Sequence, residues 1–482
     1  VIDFRPIFLT TGILLSILAL GMCVPAVVDA ALGHPDWQVF AVSAAVTLFV
    51  GISLVLAFGV GGTDMNVRQA FIMTTVAWTV LTTFAALPFA FCELELSITD
   101  AFFESMSGIT TTGSTVIVGL DNAPPGILLW RGLLQWLGGV GIIVMAIAIL
   151  PMLRVGGMQL FQMESADASE KAMPRAYQIA LGITGIYILF TAACTVAYWG
   201  AGMDGFEAVI HAMTTIATGG YSTSDASMAH FDSMLIDFIA VGGMVAGSLP
   251  FLLYLKALQG DVVSLARDEQ VRWFLAIGGA AVIIASILLW INQGLDPVQA
   301  LRYGSFNVIS IMTGTGYATT DYGLWGAFAN PMFYFLMFVG GCAGSTSCGI
   351  KIFRFQVLFA AARTQFHHLV HPHGVFIPYY NRRPIPDEVI TSVLSFFFVF
   401  GVCFALLSIA LAMLGLDFIT AVSSAATAIA NVGPGLGPIV GPAGNFQTLP
   451  DAAKWLMSGG MLLGRLELFT ILILFTRHFW KG

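Results

Sequence analysis

Ten stretches of roughly 20 mostly apolar residues run through this chain and constrain its fold more than any other feature. A helix rises about 1.5 Å per residue, so about 20 residues cross the ~30 Å hydrocarbon core of a bilayer. The stretches lie at about 8–32, 38–60, 69–91, 127–150, 177–200, 233–257, 272–292, 329–360, 389–414 and 453–478. Of 482 residues, 57% are hydrophobic and 10% charged, with mean hydropathy +0.88. A soluble domain carries about 25% charged residues, and no soluble core could hide this much apolar surface, so lipid is the expected solvent for much of it. The first stretch is too long and continuous for the apolar region of a cleavable signal peptide. The missing initiator Met predicts a trimmed N-terminus.

Charge sets the orientation. With the N-terminus inside, the inner segments hold Arg5, Arg68, Arg154, Lys171, Arg175, Lys256, Arg267, Arg272, Lys351, Arg354, Arg363, Arg382, Arg383, Arg477 and Lys481, which is 15 of the 19 basic residues. That bias obeys the positive-inside rule. Arg131, Arg302 and Lys454 fall outside and Arg465 within a span. The outer segments carry Glu93, Glu95, Asp100, Glu104, Asp121, Asp225, Asp296, Asp321 and Asp417. They are either solvated loop acids or a vestibule that concentrates cations. The six cysteines show neither disulfide nor zinc spacing.

Between spans lie four shorter segments, 98–109, 204–216, 299–312 and 417–429, helical in composition but too short to cross. Each runs into a string rich in Gly or Thr, the pattern of a re-entrant loop, which is tolerated at membrane depth only beside protein or a water-filled cavity. The strings align on one glycine each: Thr110-Thr111-Thr112-Gly113-Ser114, Ala217-Thr218-Gly219-Gly220-Tyr221, Thr313-Gly314-Thr315-Gly316-Tyr317 and Ala430-Asn431-Val432-Gly433-Pro434. Six residues before each glycine stands a hydroxyl: Ser107, Thr214, Ser310 and Thr427.

A dehydrated cation needs oxygens in place of its water, and consecutive backbone carbonyls pointing one way supply them. Such a backbone needs φ values open mainly to glycine. One such string would be read as small residues easing helix packing. Four at matching places in a span–loop–span unit point to a pore. The expected fold is an all-α polytopic membrane protein: two N-terminal transmembrane helices, then four span–pore helix–filter–span repeats in pseudo-fourfold arrangement around one pore. The expected units are 1–62 for the helix pair and 63–153, 154–258, 259–385 and 386–482 for the repeats. The filter residues are Thr111, Thr112, Gly113, Thr218, Gly219, Gly220, Gly314, Thr315, Gly316, Asn431, Val432 and Gly433.

These strings and repeats resemble the Trk/Ktr/HKT superfamily of potassium transporters over essentially the whole chain, most closely its bacterial TrkH-type membrane subunits. Two further motifs carry the resemblance: Gly340-Gly341-Cys342-Ala343-Gly344-Ser345-Thr346-Ser347-Cys348-Gly349-Ile350-Lys351 and Gly464-Arg465-Leu466-Glu467-Leu468-Phe469. The resemblance implies a potassium-conducting subunit of the bacterial inner membrane, a homodimer with one pore per protomer, and a cytoplasmic nucleotide-binding regulatory partner of the TrkA type. Glycine in all four filters resembles the potassium-permeable members. Ser347-Cys348 stands where many relatives have a Gly pair. The family places an intramembrane gating loop at 340–351, where glycines and hydroxyls would break a span near mid-membrane. The gating residues are then Gly344, Ser345, Thr346, Ser347, Cys348, Gly349 and Lys351, together with Arg465, a mid-membrane charge expected to face the bundle interior and bond to the broken loop.

Other readings are weaker. Gly344 to Lys351 lacks the strand and the Gly-Lys pair of a phosphate loop. His367, His368, His371 and His373 suit a polar surface better than a metal site, and 364–388 suits docking of the regulatory ring. His211 is expected to pack structurally. No catalytic motif is present, so no enzyme, covalent cofactor or nucleic-acid partner is expected; potassium ions in the filter, lipid and the partner chains are. An ion-coupled potassium symporter, driven by Na+ or H+, is the alternative. It is disfavoured because the repeats are fourfold and same-handed and no intramembrane acid recurs from repeat to repeat.

Overall fold

A computed structural model describes residues 2–59, 65–148, 172–381 and 383–481. The junctions expected near 62 and 153, and Arg154, Lys171 and Arg382, lie outside the described residues. Among the described residues seven helices are long and apolar enough to cross a membrane: Arg5–Leu32, Trp37–Phe58, Val67–Phe91, Pro125–Ile143, Gln178–Gly200, Glu269–Gln293 and Asp387–Met413. Phe49, Leu56 and Phe398 are largely exposed on these helices, as lipid-facing side chains would be. The first two helices pack closely at glycines: a Cβ on Gly12 would lie 2.8 Å from the Gly51 carbonyl oxygen.

The remaining expected spans are broken, and two of the breaks correct the sequence expectation. The stretch at 233–257 is Met234–Ser248 followed by Phe251–Leu258, bent by 92°. Pro250 is the cause. It disfavours helical geometry at the residue before it, and Leu249 is extended at φ −89°, ψ 157°. The stretch at 453–478 is Asp451–Arg465 followed by Leu468–Phe475, bent by 112°, with Glu467 left-handed at φ 61°. Arg465 therefore ends its helix rather than sitting inside a continuous one. The third break, at 340–351, was expected: Ala329–Leu336 stops, a loop intervenes, and Ile352–Val370 begins.

The freed backbone groups pair with one another, as membrane depth requires. The N–H groups of Cys342 and Thr346 donate to the carbonyls of Ser248 and Gly247 at 3.0 and 3.1 Å, and that of Phe251 donates to Gly344 at 2.9 Å. The loop neck closes by Gly340 N–H to Ile350 and Ile350 N–H to Phe338 at 3.0 and 3.1 Å.

The four short helices are Ile98–Ile109, Gly205–Ile216, Pro297–Met312 and Phe418–Ala430. Each is capped at its N-terminus: Ser97, Asp204, Asp296 and Asp417 accept from the N–H groups of Asp100, Phe206, Val298 and Thr420. Each C-terminus, where the helix carries its partial negative charge, runs into one string.

Candidate functional site

All four strings leave their helices through one hydrogen-bond pattern. The N–H groups of Thr112, Gly219, Thr315 and Val432 turn back to the carbonyls of Ser107, Thr214, Ser310 and Thr427 at 2.8, 2.9, 2.8 and 3.1 Å. Those acceptors are the four hydroxyl residues six places before each key glycine. Two hydroxyls also hold the strings: Ser310 Oγ donates to the Tyr317 carbonyl at 2.7 Å, and Thr427 Oγ1 accepts from Gly433 N–H at 2.8 Å.

The backbone is left-handed twice per string. The key glycines have φ of 90° (Gly113), 78° (Gly220), 82° (Gly316) and 111° (Gly433). Two residues earlier, Thr111, Thr218, Gly314 and Asn431 have φ of 53°, 50°, 72° and 52°. That second site was not foreseen; three of its residues carry side chains, and only Asn431 is of a type that favours this region.

The strings follow one another in a closed ring. A Cβ on Gly113 would collide with the Gly219 carbonyl oxygen, one on Gly220 with that of Thr315, and one on Gly316 with that of Val432. One on Gly433 would lie 2.9 Å from the Thr112 oxygen, which closes the circle. All four glycines line one outer cavity of about 260 Å³. The filter residues named from sequence thus converge.

The outer acids largely serve other ends than a vestibule. Only Asp225 among them lines that cavity, and it accepts from the N–H groups of Gly119 and Leu120. Asp296 and Asp417 are helix caps. Glu104 is buried against Arg131 at 2.9 Å. The three basic residues assigned outside are each paired: Arg131 with Glu104, Arg302 with Asp237 at 2.6 Å, and Lys454 with Asp100 at 2.5 Å. A hydrogen bond from the Ser224 hydroxyl holds the exposed Asp121 carboxyl below the usual range.

The broken loop of the third repeat lies directly under the ring. Thr346 Oγ1 is 3.2 Å from Thr218 Oγ1, Ser347 Oγ donates to the Thr313 carbonyl at 2.7 Å, and Cys348 Sγ lies 3.6 Å from Thr111 Oγ1. Three strings are touched by three consecutive side chains. Ser345 Oγ closes a local turn to Cys342 at 2.6 Å, Gly344 and Gly349 are left-handed, and Lys351 Nζ bonds to the Ser347 carbonyl. Arg465 donates to the Thr346 carbonyl at 3.3 Å, to Cys348 Sγ at 2.6 Å and to the Gly138 carbonyl at 3.1 Å. Glu467 pairs with Arg354 at 2.5 Å instead. Loop and guanidinium border an inner cavity of about 40 Å³.

Sequence reasoning missed three residues that brace the second string: Arg131 donates to the Ser222 carbonyl at 2.7 Å, Gln135 to the Gly219 carbonyl at 2.6 Å, and the Tyr221 hydroxyl to the Glu104 carbonyl at 2.9 Å. Tyr221 was visible only as a repeated Gly-Tyr pair. The histidines behave as packing groups: His367, His368 and His371 surround the Phe376 ring, and buried His211 bonds to Glu207 and Ser222.

Four pore-loop units closed into one ring within a bundle of apolar helices define a membrane protein of the four-repeat pore-loop class. Residues 37–481 match the TrkH family model, described as a cation transport protein, and the chain belongs to that family. It is 46% identical to the Trk system potassium uptake protein TrkI of Halomonas elongata, over 99% of this chain and 97% of that one. It is 37% identical to the Trk system potassium uptake protein TrkH of Escherichia coli K12, over 99% of each. The crystal structure of the potassium transporter TrkH from Vibrio parahaemolyticus superposes with a TM-score of 0.92 over 100% of both chains at 36% identity. The expected fold, a helix pair followed by four repeats, holds.

Proposed function

We propose that this chain is the potassium-conducting transmembrane subunit of a Trk-type uptake system, with no enzymatic step and no covalent cofactor. One observation carries the reading: four left-handed glycines, each facing the carbonyl of the next string, closed into a ring on one cavity. With the N–H groups bonded back to the pore helices, the carbonyls of Thr111, Thr112, Gly113 and their counterparts in the other strings are left to replace the water of a potassium ion. The helix C-termini behind them favour positive charge. Thr346, Ser347 and Cys348 under the ring, held by Arg465, keep the path closed at rest; Gly344 and Gly349 let the loop fold.

The repeat boundaries remain those read from the sequence. The protein sits in the bacterial inner membrane with its N-terminus cytoplasmic, on the support of the basic inner segments. It acts as a homodimer with a nucleotide-binding ring of the TrkA type on the surface at 364–388, a reading that rests on the family resemblance. Reconstitution in liposomes tests the function. A voltage-driven, saturating potassium current that needs no co-ion supports conduction. Potassium movement that stops without an imposed Na+ or H+ gradient would identify the coupled symporter instead.

A further inference from the structure

The four strings are not braced alike. In the first and third, a threonine pair stiffens the string from within: Thr110 Oγ1 to Thr112 Oγ1 and Thr313 Oγ1 to Thr315 Oγ1, both at 2.7 Å. The second string has Ala217 and Gly219 at those two places and carries no such pair. Gln135, from the second helix of the first repeat, occupies the vacated space: a Cβ on Gly219 would collide with its amide. That amide is fully buried. Its Nε2 donates to the Gly219 carbonyl at 2.6 Å, and its Oε1 accepts from Tyr221 N–H at 3.0 Å. It therefore grips the backbone on both sides of Gly220.

Arg131, one helical turn earlier, donates to the Ser222 carbonyl at 2.7 Å and lies 4.0 Å over the Tyr221 ring. The Gly219 oxygen is also the atom that a side chain on Gly113 would strike, so its position fixes the contact between the first two strings.

We propose that Gln135 is a positioning residue for ion selectivity, acting in place of the side chains the second string lacks; this rests on the reading of the ring as a potassium filter. Gln135 aims the Gly219 carbonyl and makes its ring of oxygens unequal, since Gly219 shares a lone pair with the amide and Thr112, Thr315 and Val432 have no such side-chain donor among the described residues.

The test is the bi-ionic K+/Na+ reversal potential in planar bilayers for the wild type, Gln135→Ala, and Gln135→Ala combined with Ala217→Thr and Gly219→Thr. The single change is expected to lower the K+/Na+ permeability ratio roughly fivefold, the factor set by one hydrogen bond. The triple change rebuilds the internal threonine pair and restores most of the ratio. A merely structural role would lower the amount of folded protein without moving the ratio. Gln135→Glu keeps the volume and gives a second readout. Protonated, its carboxyl donates to Gly219 as the amide does; ionised, it cannot. Its ratio should therefore rise as pH falls, unlike the wild type's. A potassium-selective wild type with an unchanged ratio in Gln135→Ala, or a pH-independent Gln135→Glu, overturns the inference. A wild type without potassium preference overturns the filter reading itself, and this inference with it.

Discussion

Replacing Gly113 by serine separates two physical effects that the ring combines. The residue sits at φ 90°, and its Cβ would overlap the Gly219 carbonyl oxygen, with the Thr315 oxygen next at 3.5 Å. Left-handed backbone costs a side-chain-bearing residue about 1–2 kcal/mol. The overlap adds to this, because the struck atom is backbone and cannot swing aside as a flexible side chain would. A displacement of that oxygen which weakens potassium coordination by about 1.4 kcal/mol relative to sodium lowers the preference about tenfold. The expected result is a K+/Na+ permeability ratio reduced roughly tenfold in bi-ionic recordings, with Gly113→Ala close to Gly113→Ser because the Cβ is the cause. Gly119→Ala supplies the control: that residue sits at φ 79°, yet a Cβ there meets nothing within 4 Å. It bears the backbone strain without the collision and should leave the ratio at the wild-type value. An unchanged ratio in Gly113→Ser, or an equal loss in Gly119→Ala, refutes the reasoning.

Three further outcomes can be measured. Arg465→Ala removes three donated bonds from the region of the loop, and bonds from charged donors are worth about 1.5–3 kcal/mol each; it should raise basal potassium flux at least about tenfold, as should deletion within 344–348, while well-folded variants with flux at or below wild type would remove the gate. Arg131→Met leaves Glu104 buried without its partner, a loss of about 3–5 kcal/mol, so melting of the purified protein should fall sharply and recover in part when Glu104→Gln is added. Charge reversal at Arg382 and Arg383 should weaken co-purification with the nucleotide-binding ring proposed as partner, at moderate salt; retained binding and nucleotide response would refute the proposed docking surface.

What could be read from the sequence was whatever repeats. Four strings with one glycine each, four hydroxyls at one offset and spans of near-constant length are periodic signals, and the structure places them in register. Pieces that break the repeat were harder to see. The bend at Leu249 has a signal in Pro250, but the apolar run around that proline masks it. The bend after Arg465 had only the acid at Glu467, whose left-handed backbone no composition announces. The left-handed threonines at 111 and 218 were invisible because their conformation is imposed by bonds back to the pore helices, not by residue type. Glu104 looked like a loop acid because its partner Arg131 lies far along the chain. Gln135 gave no sign at all: its reason for being there is a missing side chain in another repeat.

The most direct test of the central claim, that four strings enclose one axial cation path, is anomalous diffraction from crystals grown in rubidium, an ion that scatters where potassium is bound. The account predicts anomalous peaks on the axis inside the ring, between the carbonyls of Thr111, Thr112 and Gly113 and their counterparts in the other three strings. Rubidium found only outside that ring, or an empty ring at saturating rubidium, would contradict it.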